Sequence, residues 1–112
     1  MRTIENPLEF REKMVRHIMT IKNKSGLKIK EQHRCVNIEK SVLNYARYEA
    51  DKRNTIKKWD NPYFVQIYLD RIRTICYNLK NTDLMERISK GEFKAQYIGT
   101  MSHQEMDIER WH

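Results

Sequence analysis

Phe64, Ile67, Tyr68, Ile72, Ile75 and Leu79 recur at spacings of three and four residues. Only an α-helix, at about 3.6 residues per turn, gathers side chains so spaced onto one face. The start signal precedes them. In Trp59-Asp60-Asn61-Pro62, Asp60 or Asn61 can cap, and Pro62 occupies the first turn, where its missing N–H costs nothing. The predicted helix spans residues 62–80. As the most periodic segment it should lie at the centre of the core.

Two further segments follow the same logic. Asn6-Pro7-Leu8-Glu9 opens a helix with the stripe Phe10, Met14, Val15, Ile18 and Ile21, fading by residues 22–26. Ile38, Val42, Tyr45 and Ala46 mark a helix over 35–53, with Ala46 as a point of close helix approach. Residues 22–34 are dense in Lys and Arg, weakly periodic, and expected to form a loop. Beyond Lys80, Asn81 and Thr82 can cap a short helix holding Leu84 and Ile88, ended by Lys90-Gly91. Residues 92–99 can add one or two turns. Ser102-His103-Gln104-Glu105 fits a capping box, with Glu105 reaching back to the Ser102 N–H. Three Gly and two Pro in 112 residues leave few turns for a sheet. The expected fold class is all-α: one domain over 1–112, a three-helix bundle with short additional C-terminal helices.

The net charge of +7 is unevenly spread: residues 1–80 carry 18 Lys/Arg against 9 Asp/Glu, whereas 81–112 carry 4 against 6. A basic body implies a negatively charged partner, which charge alone does not identify. The only cysteines, Cys35 and Cys76, stand far apart, so neither a disulfide framework nor a closed zinc site is expected. The N-terminal stretch has no apolar signal-peptide region, and no apolar run approaches the length of a membrane span.

No catalytic constellation is legible. His17, His33, His103 and His112 fall on separate segments, Asp107 and Glu109 diverge on a helix, and no Gly-rich phosphate loop exists. The chain is therefore not expected to be an enzyme, nor to hold a metal or cofactor. Nucleic-acid binding is the more serious alternative: Lys57-Lys58-Trp59 sets an aromatic beside two lysines, where it could stack on a base. Equally, Trp59 could plug the end of the bundle. Tyr45, Tyr48, Tyr63, Phe64 and Tyr68 read as core and core rim, and Met14, Met19, Met85, Met101 and Met106 as core fillers.

The stretch RIRTICYNLKNTDLMERISKGEFKAQYIGTMSHQEM, residues 71–106, is more particular than a basic helix. It resembles the second half of the central domain of transcription elongation factor S-II (TFIIS). Residues 8–19 resemble the start of that domain, and Ile38-Glu39 the Ile-Glu pair that opens its second helix. Trp59-Asp60 and the short spacer after Asn78-Leu79-Lys80 look most like the versions from large DNA viruses. The resemblance covers residues 7–110. It implies a monomer that docks on a multisubunit DNA-directed RNA polymerase inside the cell, in the nucleus or a viral factory, or that is packaged in virions. Cleavage of backtracked RNA belongs in that family to a separate zinc ribbon with an adjacent Asp-Glu pair. The chain has no Asp-Glu dipeptide and too few cysteines for the ribbon, so it is expected to be a piece of a longer protein or a shortened relative.

The resemblance places polymerase contact on the basic side of the third helix. Arg71 and Arg73 stand there, with Lys57 and Lys58 before the helix and Lys80 at its end. Residues two apart on a helix diverge by about 200°. Of Arg71 and Arg73, one is thus free to bond inside the domain while the other meets the partner.

Overall fold

The computed structural model describes residues 2–22 and 29–102. Among these, every regular element is helical: α1 (Pro7–Lys22), α2 (Ile29–Lys52), α3 (Pro62–Asn81), α4 (Leu84–Ser89) and a terminal 3₁₀ helix (Ala95–Thr100). The all-α bundle is as expected. The proposed capping box from Ser102 to Glu105, with Met106, His103 and His112, lies outside the described residues.

α1 and α3 start where their cap chemistry dictates. The Glu9 N–H donates to Asn6 Oδ1 at 3.2 Å. The Tyr63 N–H donates to Asn61 Oδ1 at 3.1 Å, with Pro62 as the first helical residue. Asn61 also donates through Nδ2 to the Ile56 carbonyl at 2.7 Å, tying the preceding loop to the helix start. Asn61→Ala should therefore cost about 1–2 kcal/mol in urea denaturation. Asn61→Asp, which keeps the cap acceptor but loses the amide donor, should cost less. Equal losses would show that the cap is idle.

Terminators are equally local. Asn54 (φ 54°) follows α2, and Gly91 (φ 84°) follows α4, both left-handed. The Gly91 N–H reaches Ile88 O at 3.0 Å and the Glu92 N–H reaches Arg87 O at 2.9 Å, closing the end of α4. The Leu84 N–H donates to Thr82 Oγ1 at 3.1 Å, as the cap reading required.

One boundary differs from expectation. α2 begins at Ile29, inside the stretch 22–34 read as loop. Lys, Glu, Gln and Arg are good helix formers, but Gln32 and His33 face solvent and present no apolar stripe. Ile38-Glu39 consequently sits within α2 rather than opening it.

The core is assembled from α1 (Phe10, Ile18), α2 (Cys35, Ile38, Val42, Ala46, Ala50) and α3 (Phe64, Tyr68, Ile72, Ile75, Leu79), all buried. Leu84, Ile88, Ile98 and Met101 close it. α2 is the hub, with α1 and α3 on two sides and the 3₁₀ helix laid along a third. Tyr48 and Tyr63, read as core rim, are instead exposed. They fall on the outer face of helices whose inner positions are already filled.

Candidate docking surface

The third helix divides its cations between two jobs. The Arg71 Nε–H donates to the Gly99 carbonyl at 2.7 Å, and its Nη2 to the Met101 carbonyl. Its guanidinium lies 4.4 Å from the centroid of the Tyr45 ring. Arg71 therefore staples the terminal 3₁₀ helix to the bundle. Arg73 points outward, its side chain exposed and 3.8 Å from Asp70 Oδ1, an exposed pair of little energetic consequence. The divergence expected of residues two apart thus separates an internal clamp from a surface cation.

The other candidate residues do not form one patch. Lys58 is exposed, and Lys57 bonds Asp51 Oδ1 at 2.8 Å; both precede the start of α3. Lys80 stands in its last turn. Along a helix rising about 1.5 Å per residue, these ends lie about 25–30 Å apart. Trp59 is the bundle-end plug: its indole packs edge-on to Phe10, Phe64 and Tyr68, with centroids 5.9, 5.3 and 5.2 Å away. Its carbonyl accepts from the Ile4 N–H at 2.9 Å.

Beside Arg73 and Lys80 a groove of about 950 Å³ runs between α1 and α3. Met14, Ile21, Leu69, Ile72 and Leu79 give it an apolar floor, and the half-exposed Tyr77 stands in its wall. Cys76 also lines it, and burial pushes that thiol up to about 11, so at neutral pH it presents an uncharged sulfur.

The family model of the transcription factor S-II (TFIIS) central domain matches residues 5–111. The chain belongs to that family. Comparison with curated proteins and with solved structures gives no significant match.

Two features of this TFIIS central domain were not legible as sites beforehand. Arg11 Nε donates to both oxygens of Glu39, at 2.6 and 3.1 Å, and the Glu39 carboxylate is buried. The fully buried Tyr68 phenol is held protonated by burial first and then by the charge of Glu39. Nothing in the spacing of Arg11 and Glu39 announces a pair that joins α1 to α2. Second, Gly99 donates its N–H to Ser41 Oγ at 2.8 Å, while that hydroxyl donates to Ile38 O at 2.6 Å. The central-domain fold thereby spends Arg11 and Arg71 on its own cohesion. Arg73, Lys80 and Lys58 are left facing outward. Among the described residues, no group of three or more His, Cys, Asp or Glu is gathered as a metal ion would require.

Proposed function

We propose that this domain is the RNA polymerase-docking module of a transcription elongation or transcript-cleavage factor. It holds the factor on a multisubunit polymerase while cleavage chemistry comes from elsewhere. The observation that supports the reading most is the family match over 5–111, joined to the outward cations Arg73 and Lys80 on α3. The domain itself acts as a non-catalytic, metal-free monomer within the cell. The likeness to the versions of large DNA viruses makes a viral polymerase, in the nucleus or a viral factory, the first partner to test.

The test is binding of purified cognate polymerase to the chain over a salt series, beside bare RNA and DNA duplexes. Polymerase should bind more tightly than either nucleic acid. Lys57→Glu/Lys58→Glu/Arg73→Glu/Lys80→Glu should weaken that binding by at least about tenfold, or about 1.4 kcal/mol, chiefly through the on-rate. Its melting temperature should stay close to that of the wild type, because the replaced side chains face solvent. In the same assay the isolated chain should not stimulate transcript cleavage by a stalled polymerase. Tighter binding to bare nucleic acid, falling steeply with salt, would favour a small basic DNA- or RNA-binding protein instead.

A further inference from the structure

We propose that the groove between α1 and α3 seats an acidic amphipathic helix presented by the polymerase. This rests on the polymerase-docking reading and adds the chemistry of the contact. Two properties of the groove argue for such an occupant.

The first is charge. Arg73, Lys80 and His17 line the groove, and among the described residues no carboxylate lines it. Asp70, beside Arg73, is the near exception, and its weak exposed pairing leaves the arginine available. In a domain of net charge +7, this rim repels basic segments and steers acidic ones toward it.

The second is the floor. Ile21 and Met14 from α1 face Leu69, Ile72 and Leu79 from α3 across the groove, with the neutral Cys76 thiol between the cationic flanks. An apolar channel between two helices is the setting in which a third helix lays an apolar stripe, with anchors at i, i+3, i+4 and i+7. Nucleic acid fits this floor less well. A phosphate backbone needs a row of cations and gains nothing from buried Ile and Leu. Single strands stack on several open rings in succession, whereas among the described residues the groove offers one, Tyr77, and Trp59 is occupied within the bundle. Tyr77, 58 % exposed at the wall, supplies the amphipathic contact typical of protein interfaces.

The groove lies toward the C-terminal end of α3 and Lys57-Lys58 lies before its start, so the two can be tested separately. Binding of purified cognate polymerase would be compared for the wild type, Arg73→Glu/Lys80→Glu and Lys57→Glu/Lys58→Glu, each checked by thermal melting. The groove pair should weaken binding by at least about tenfold, and the loop pair by less than about threefold. A synthetic helical peptide with Leu at i, i+3, i+4 and i+7 and Glu elsewhere should compete with polymerase. The same peptide with Lys for Glu should not. Wild-type affinity in Arg73→Glu/Lys80→Glu would overturn the groove assignment and leave the docking reading standing. Failure of the wild type to bind polymerase would overturn the docking reading, and this assignment with it. Competition by an RNA oligonucleotide but not by the acidic peptide would make the groove a nucleic-acid track and overturn the proposal.

Discussion

Arg11→Met should cost about 3 kcal/mol of folding stability, because it strands the Glu39 carboxylate without its cation. Glu39 is only 1 % exposed, and Arg11 supplies both contacts to it across the α1–α2 interface. Breaking a buried pair from one side typically costs about 3–5 kcal/mol. The lower end applies here because the Arg11 side chain is 27 % exposed. The pair itself need not be net stabilising, since both charges were desolvated to make it. Arg11→Met/Glu39→Met should therefore recover most of the loss, with a coupling energy of about 2 kcal/mol or more in the double-mutant cycle. Urea titrations of the four proteins give the numbers. A single-mutant loss below about 1 kcal/mol would mean that water or another group satisfies Glu39.

Gly99→Ala should be nearly as damaging, for a steric reason. A Cβ at Gly99 would lie 2.3 Å from the Ser41 carbonyl carbon and oxygen and 2.6 Å from the Val42 nitrogen. These are backbone atoms of a long helix and cannot swing aside. The 3₁₀ helix would have to lift from α2, straining the Gly99–Ser41 hydrogen bond and both bonds from Arg71. Overpacking of this kind costs about 1–3 kcal/mol, and the upper end fits a clash with backbone, a fall in melting temperature of about 10 °C. Gly91→Ala is the control. Its Cβ would meet nothing within 4 Å, and the penalty there comes only from φ 84°, about 1 kcal/mol. If Gly91→Ala proved the more harmful of the two, the close approach at Gly99 would not be what holds the 3₁₀ helix down.

The contrast between these residues shows what the sequence could and could not carry. The caps at Asn6 and Asn61, the stop at Gly91 and the stripe on α3 were readable because each is a local signal, complete within a few residues. The start of α2 was not, because its first turns carry charged helix formers with no stripe to reveal them. Arg11–Glu39 and Ser41–Gly99 are long-range pairs, and single-residue chemistry says nothing of which distant partner a side chain will meet. The surface shows the same division. Arg73 and Lys80 could be named as cations on α3, and the geometric rule that parts Arg71 from Arg73 was available. That Arg73 and Lys80 flank an apolar channel depends on how α1 crosses α3. Only the assembled bundle fixes that crossing.

The staple at Arg71 also has a temporal meaning. It and the Ser41–Gly99 bond join residues 28 to 58 positions apart. On a ribosome adding about 5–20 residues per second, α2 is complete long before residues 95–101 exist to cover it. For that interval the face bearing Ser41, Val42 and Tyr45 has no lid, and the nascent chain displays the surface that its last turn will hide. Such non-local closure slows folding relative to a plain helical hairpin. Apolar surface left open in that interval is the kind through which nascent chains aggregate.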